Sequence, residues 1–388
     1  MRHIRRMTVL AGIGAIFLAA CAREADKPVR TTENGVETVT NRLTPYVVKN
    51  EPGSFSLREE AVLDLEREDL AAKGLTQPRG FDVGPKGEMI ILSEAGIFVF
   101  DAAGGFLRQF GRLGQGPGEY QNPGLIRVLD SGELAFYDGG ADKFLFWSLD
   151  GALLREVKNT SKVRMFGPNG ALCLDRGGYL FEEMDFDPAR SALEYHLTVA
   201  DADFQKKARL AESVTKENPL KSNRYNLFDG YVKYVISGGR IYAASQGAPE
   251  FEVNVYDTTG RRLRSIRKEW RKVSIPQSYK DKALGSGEGP IAAMLNEKGY
   301  FPESFPAVRE LFADGRGRVF VETYETGPVA GESLLAVFAP DGTFIGEQPI
   351  APAQARFIKG DRLYALVEKE SGFQKLIVYK MIWGGAGK

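Results

Sequence analysis

Short apolar segments separated by glycine-containing turns recur along most of this chain. In residues 81–110, four such segments follow one another, with a Gly-Pro-Lys-Gly turn at 84–87 and a Gly-Gly turn at 104–105. Apolar runs of about 4–8 residues bounded by turn residues are typical of antiparallel strands. Because the unit returns many times, the sequence predicts a series of small sheets rather than one large sheet or a helical bundle.

One glycine marks the first turn of each unit, and the spacing of these glycines gives the period. The intervals between them are 45, 46, 61, 78 and 43 residues. A period of about 40–50 residues with four strands is that of a β-propeller blade. The two long intervals predict insertions, which we place at 183–194 and 275–306. The six glycines are Gly87, Gly132, Gly178, Gly239, Gly317 and Gly360.

The two ends of the repeat region complement each other. The sixth unit has three strand-like segments before the chain ends, and a spare segment at 61–65 precedes the first unit. Pairing the spare segment with the last unit would remove an exposed sheet edge. The sequence therefore predicts an all-β, six-bladed β-propeller over residues 54–388, with four-stranded blades. An N-terminal strand is expected to complete the last blade.

The N-terminus has the pattern of an export signal. A basic opening precedes an apolar run at 7–18 and the residues Leu-Ala-Ala-Cys at 18–21. This run is too short for a membrane-spanning helix, which needs about 20 residues, and fits a signal peptide over 1–20. Residues 21–53 are polar and lack hydrophobic periodicity, so we expect a flexible tether there.

The four residues at 18–21 resemble the lipobox of bacterial lipoproteins. That resemblance implies that Cys21 receives the lipid and becomes the first residue of the mature protein. Several acyl chains on one cysteine would anchor the protein stably to the bilayer. In such lipoproteins, Asp directly after the lipidated cysteine tends to mark retention in the inner membrane. This chain has Ala22 there, so we expect it in the outer membrane, on either the periplasmic or the exterior side.

A second resemblance concerns the segment Phe-Gly-Arg-Leu-Gly-Gln-Gly-Pro-Gly-Glu-Tyr at 110–120, followed by Pro123 and Ile-Arg-Val at 126–128. It resembles the inter-blade segment of NHL-type six-bladed propellers, most closely that of the bacterial 6-bladed beta-propeller lipoprotein family. The resemblance implies a fold but no activity. No Lys-Ser/Thr follows the glycines, and a strand rather than a helix comes next, so the segment is not a phosphate-binding loop.

The charge and the cysteine count limit the kinds of partner and cross-link that this chain can have. The net charge is zero, and near −3 once 1–20 are removed, which gives no reason to expect a nucleic acid. Cys173 is the other cysteine besides Cys21, so a lipidated chain has no disulfide, and Cys173 is expected to be a small buried residue. We expect a monomer.

Catalytic signals are sparse. His196 is the one histidine after residue 20, which excludes a zinc site with several histidines and disfavours a Ser-His-Asp triad. We expect a structural role for it. Gluconolactonase-like propellers hold a divalent metal with acidic and amide side chains in the channel, and acids near the inner strands could serve here. The candidates are Glu94, Asp138 and Glu322.

A calcium site could also receive ligands from Asp185 and Asp187 in the predicted insertion at 183–194. The Gly and the distal Glu of an EF-hand are missing there, and a solvated loop is the alternative. The sequence thus shows no evident cofactor but leaves a divalent metal such as calcium open.

Each predicted innermost strand carries a basic residue. Innermost strands line the central channel of a propeller, where a ring of cations would attract a small anionic ligand. The alternative is that these residues pair with acids of neighbouring blades. The six residues are Arg79, Arg127, Arg164, Lys233, Arg309 and Arg356.

Taken together, these features favour an envelope protein whose propeller binds a small ligand or another envelope protein, without evident catalysis. One alternative is a metal-dependent propeller hydrolase that acts on a small ester or lactone. Another is a scaffold or sensor subunit of an envelope complex.

Overall fold

Six small sheets surround a central channel in the computed structural model, which describes residues 26–384 except 77, 161–165, 188–191, 215–223, 286–292 and 294–295. Within each sheet the four blade strands are antiparallel and follow chain order from the channel outward, apart from the last position of blade six. The predicted six-bladed propeller is confirmed.

The strand bounds of the described residues follow the predicted units closely. Blade one contains Pro78–Val83, Met89–Ser93, Gly96–Phe100 and Phe106–Phe110. Blade two contains Pro123–Val128, Glu133–Asp138, Lys143–Ser148 and Leu153–Lys158. Blade three contains Phe166–Cys173, Tyr179–Asp187, Ala192–Ala200 and Lys206–Val214. Blade four contains Val232–Ser237, Arg240–Ser245, Phe251–Asp257 and Arg262–Lys268. Blade five contains Glu310–Ala313, Val319–Thr326, Ser333–Phe338 and Phe344–Ile350. Blade six contains Ala355–Lys359, Arg362–Glu368, Gln374–Trp383 and Phe55–Asp64.

The middle strands of the blades are buried on both faces because each sheet packs against two neighbouring sheets. Every residue of Met89–Ser93 and Gly96–Phe100 is buried, for example. Side chains of adjacent blades interdigitate, as where the Phe110 ring of blade one lies 5.3 Å from the Trp147 ring of blade two. The six first-turn glycines all have φ between 62° and 90°, a conformation that favours glycine.

The ring closes through both ends of the chain, as predicted. Phe55–Asp64 pairs antiparallel with Gln374–Trp383, and buried Leu63 lies opposite buried Leu376. Phe55 packs at a ring distance of 5.0 Å against Trp383. The last blade therefore combines three C-terminal strands with one N-terminal strand.

The prediction of a flexible tether is wrong for residues 29–41. Val29–Glu33 and Val36–Asn41 form a hairpin, and the second of these strands pairs in parallel with the outer strand Arg262–Lys268 of blade four. The edge of blade four supplies the hydrogen bonds that hold the hairpin. Because the two hairpin strands bury only Val39 and Asn41, they have no hydrophobic periodicity from which the hairpin could be predicted. Blade four thereby becomes a six-stranded sheet.

We call residues 29–53 the N-terminal strap. After the hairpin, the strap crosses the edge of blade five, where the Tyr46 N–H donates a hydrogen bond to the Phe344 carbonyl at 2.8 Å. Glu51 then accepts a hydrogen bond from Arg318 Nη2 at 2.9 Å. The strap therefore joins blades four and five before the closing strand of blade six begins.

The two predicted insertions differ in kind. At 183–194, the hairpin of blade three is lengthened. At 275–306, a helix at Gln277–Gly285 matches the first predicted one, while half of the second predicted helix at 291–298 lies outside the described residues. The short strands Tyr225–Asn226 and Gly299–Tyr300 pair in parallel and fasten this insertion beside blade four.

Three further short elements complete the description. A helix spans Glu68–Ala71, and the strands Arg112–Leu113 and Glu119–Tyr120 pair within the inter-blade segment. Across the described ranges, no helix is both long enough and apolar enough to cross a membrane.

Candidate functional site: the central channel

The central channel is a cavity of about 830 Å³ lined by side chains of all six blades. Four of the predicted basic residues lie where an inner strand begins: Arg79, Lys233 and Arg356 are second in their strands, and Arg309 immediately precedes one. We call this end of the channel the upper mouth. Arg127 lies near the end of its strand, and we call that end the lower mouth.

Five of the six predicted basic residues thus line one cavity. The sixth, Arg164, lies outside the described residues. The propeller brings the five together because the inner strands of successive blades surround the same axis. Their assignment to ligand binding stays a prediction.

Most of these cations have an acidic partner, which agrees with the alternative expectation that the basic residues pair with acids. Lys233 of blade four lies 3.0 Å from Glu310 of blade five, measured from Nζ to Oε2. Arg127 of blade two contacts Asp175 of blade three. The guanidinium group of Arg79 contacts Glu94 within blade one. These one-to-one pairs remove much of the positive potential that a ring of bare cations would produce.

Arg309 and Arg356 differ from the others because they share a single carboxylate, that of Glu322. Glu322 has a side chain only 4% exposed and accepts hydrogen bonds from Arg356 and from Ser333 Oγ, the latter at 2.7 Å. Arg309 Nη1 lies 3.3 Å from Glu322 Oε1. The Arg356 side chain is 5% exposed, and this burial lowers the pKa of its guanidinium group.

The formal charge of the lining is balanced over the whole channel. Six basic and six acidic side chains contribute to it among the described residues. The basic ones are Arg79, Arg127, Lys233, Arg309, Arg356 and Lys359, and the acidic ones are Asp82, Asp130, Asp175, Glu182, Glu310 and Glu322. The channel is therefore strongly polar without being cationic as a whole.

Glu182 is a channel residue that the sequence reasoning missed. It lies on the second strand of blade three and is buried, close enough to the Tyr234 hydroxyl group of blade four for that group to lower its pKa. Burial raises the pKa of Glu182 to about 7, against the opposing influence of Tyr234 and Lys233. Its one sequence signal is an acid directly after the apolar strand residues 179–181.

The carboxylates considered for a metal are already engaged. Asp138 is fully buried and accepts hydrogen bonds from the N–H groups of Gln121 and Asn122 at 3.0 and 2.7 Å. Glu94 and Glu322 contact arginines, as described above. Over the described part of the chain, no group of three or more His, Cys, Asp and Glu side chains is arranged to hold a metal ion.

The outer part of blade three contains the second set of metal candidates. Asp185 contacts Arg209, and the side chain of Asp187 lies outside the described residues. Buried His196 lies 3.3 Å from both Glu194 Oε2 and Arg209 Nη1. Cys173 is buried beside Tyr179, and burial raises the pKa of its thiol.

Comparison with known proteins agrees with the fold. A family model described as a 6-bladed beta-propeller matches residues 87–269, from the first turn of blade one through blade four. This match confirms the predicted resemblance to six-bladed propeller proteins. No match was found among curated proteins.

Among solved structures, an exported protein from Bacteroides fragilis is 15% identical, with a TM-score of 0.50 over 89% of this chain and 99% of that one. A virginiamycin B lyase from Staphylococcus aureus is 13% identical, with a TM-score of 0.44 over 85% and 100% of the two chains. A gluconolactonase from Xanthomonas campestris is 12% identical, with a TM-score of 0.42 over 86% and 100%. At these identities the likeness concerns the fold, and the activities named belong to those proteins.

Proposed function

We propose that this protein is a cell-envelope lipoprotein, anchored through lipid on Cys21, whose propeller binds a small polar ligand in its central channel. One observation carries the ligand-binding part of the proposal. Five basic residues line a single open cavity of about 830 Å³, and the sequence had assigned each of them to a different inner strand. Cavities of roughly 300–1,000 Å³ are the usual size of small-molecule sites.

The energetics of the channel support binding rather than a purely structural role. Buried ion pairs contribute little net stability, and well-packed apolar side chains of similar volume often stabilise a protein more. An open cavity also forgoes the dispersion contacts that a filled core would make. A channel selected for stability alone would be filled with apolar side chains, whereas this one keeps open space and a lining of charged side chains.

The anchoring part of the proposal rests on the basic opening, the apolar run at 7–18 and Cys21. Eight residue steps separate Cys21 from Val29, the first residue of the strap, so they reach at most about 28 Å. A lipid on Cys21 would therefore keep the outer edge of blade four close to the bilayer. Ala22 favours the outer membrane, as argued from the sequence.

The ligand-binding proposal is tested by plugging the channel. Ala355 lies on the inner strand of blade six, lines the channel and is exposed, so Ala355→Trp would occupy the cavity without removing an ion pair. Ala103→Trp, in an exposed turn of blade one that does not line the channel, is the matched control. Each full-length variant would be mixed with the small-molecule extract of the cell envelope and examined by native mass spectrometry.

We expect the wild type and Ala103→Trp to retain the same added mass and Ala355→Trp to lose it. If the wild type retains no small molecule, or if Ala355→Trp retains the same one, the channel is not the ligand site.

A further inference from the structure

The charges of the upper mouth are compensated unevenly. Among the described residues, Arg79 pairs with Glu94 and Lys233 pairs with Glu310, whereas Arg309 and Arg356 share the carboxylate of Glu322. We infer that Arg309 and Arg356 form a subsite for one carboxylate group of an organic ligand. This inference rests on the proposed ligand-binding function and names the chemical class of the ligand.

The geometry of Arg309 suits such a group. Its guanidinium carbon lies 5.5 Å from the centroid of the Tyr324 ring, and Tyr324 itself stacks on Phe305 at 4.0 Å with an angle of 5°. The N–H donors of an arginine lie along the edge of its guanidinium plane, and stacking on an aromatic face leaves that edge free. Two of these donors can then bind the two oxygens of one carboxylate. The Arg309 side chain is 45% exposed, so this edge is accessible from the cavity.

Arg309 also has unused donor capacity. Within the described residues, its guanidinium group contacts one acceptor side chain, Glu322, through Nη1 at 3.3 Å. Arg356, in contrast, uses one Nη for Glu322 and the other for the carbonyl of Ala351. Arg309 would therefore supply most of the new hydrogen bonds, and Arg356 would supply buried positive charge behind them.

Charge balance decides between a carboxylate and a phosphate. Arg309, Arg356 and Lys233 face Glu310 and Glu322. Burial raises the pKa of Glu182, the channel acid that also acts on Lys233, to about 7, so below that pH the partly desolvated wall has one surplus positive charge. A carboxylate monoanion neutralises that surplus. A phosphate dianion would leave one uncompensated negative charge close to two glutamates, and uncompensated charge is costly where the dielectric is low.

The lower mouth lacks this surplus. Arg127 has its own acid, Asp175, and also donates a hydrogen bond to the carbonyl of Cys173. Both members of this pair are largely shielded from solvent. Of the five described cations that line the channel, the proposed subsite therefore uses the two arginines of blades five and six.

Acetate is a probe of the subsite that does not require the whole ligand to be known, and acetamide is its uncharged counterpart. In the full chain, the side-chain Nε–Hε resonance of Arg309 would be followed by NMR during titration with each compound. We expect acetate to shift this resonance saturably and acetamide to leave it unchanged. Arg309→Gln identifies the resonance by removing it.

Binding of acetate to the variants would be measured by calorimetry. Arg309→Gln should weaken it about tenfold or more, since hydrogen bonds to charged groups contribute about 1.5–3 kcal/mol. Arg309→Lys keeps the charge but loses the planar edge, so its affinity for acetate should lie between that of Arg309→Gln and that of the wild type. Arg267→Gln, which removes a similarly exposed arginine paired with Glu252 outside the channel, should bind like the wild type.

The inference is overturned if acetate and acetamide act alike, or if Arg309→Gln binds acetate as the wild type does. If this happens while Ala355→Trp still abolishes retention of the envelope ligand, the channel binds a ligand without a carboxylate subsite at Arg309. Loss of both results would remove the proposed function itself. Arg356→Lys is a second variant, to be used after its fold has been checked by circular dichroism.

Discussion

The side-chain oxygen of Asn41 accepts a hydrogen bond of 2.8 Å from the backbone N–H of Phe344, although the two residues lie 303 positions apart. The Nδ2 atom of Asn41 donates to the carbonyls of Gly342 and Arg267, at 3.0 Å each. One amide that is 2% exposed therefore joins the strap to blades four and five. The strap is thus a structural part of the propeller rather than only a connection to the membrane.

Replacing Asn41 should test this role. Asn41→Ala leaves a buried N–H group, a buried carbonyl and a partly buried carbonyl without their partner, and each costs about 1 kcal/mol. We expect the free energy of unfolding to fall by about 3 kcal/mol, measured by urea denaturation. Thr40→Ala, on the same strand and less buried, is the control and should change it by less than about 1 kcal/mol. Equal effects of the two variants would contradict the role of Asn41.

The strap also crosses blade five where two glycines meet. A Cβ atom on Gly346 would overlap the backbone carbonyl of Gly53, and neither partner is a side chain that could turn away. Gly346→Ala should therefore destabilise the protein by about 1–3 kcal/mol. A Cβ on Gly315 would meet nothing within 4 Å, so Gly315→Ala should leave the melting temperature nearly unchanged. A wild-type melting temperature for Gly346→Ala would show that the strap does not pack there.

Glu182 should make stability depend on pH near neutrality. Burial raises the pKa of this carboxyl from 4.5 to about 7 in the folded protein. Between these pH values the unfolded chain has released a proton that the folded protein still holds, so stability falls as pH rises and levels off above about pH 7. Glu182→Gln removes this dependence and keeps a polar side chain of the same size beside Tyr234.

The measurement is the difference in unfolding free energy between Glu182→Gln and the wild type at about pH 5 and about pH 8. We expect the variant to gain up to about 3 kcal/mol relative to the wild type over this interval. The control is Glu133→Gln, because hydrogen bonding by Arg155 lowers the pKa of Glu133, so that this group titrates below the interval. A flat difference for Glu182→Gln would mean that this carboxyl is ionised throughout.

Lipidation is tested at Cys21. Cys21→Ser removes the thiol that would receive the lipid. We expect the wild type in the membrane fraction and the variant in the soluble fraction after cell lysis. Cys173→Ser, which changes a buried cysteine, controls for loss of a thiol as such. A membrane-bound Cys21→Ser variant would show that something other than this lipid holds the protein.

The candidate site could be predicted in part. Inner strands are recognisable from local patterns, so Lys233 and Arg356 could be assigned to the channel before their surroundings were known. Their partners could not be assigned, because Glu310 and Glu322 come from neighbouring blades 77 and 34 residues away. Glu182 was missed for the same reason: only the packing of blade three against blade four buries it beside Tyr234.

The sequence by itself determined the strands, their grouping into six blades and the closing pair of terminal strands. Short apolar runs and turn glycines such as Gly87 act within a few residues, so they can be read locally. Only the tertiary structure decided which charges neutralise one another and that residues 29–41 dock on blade four. Ion pairs and edge-strand hydrogen bonds join surfaces that exist only once the ring has closed, and no local pattern encodes them.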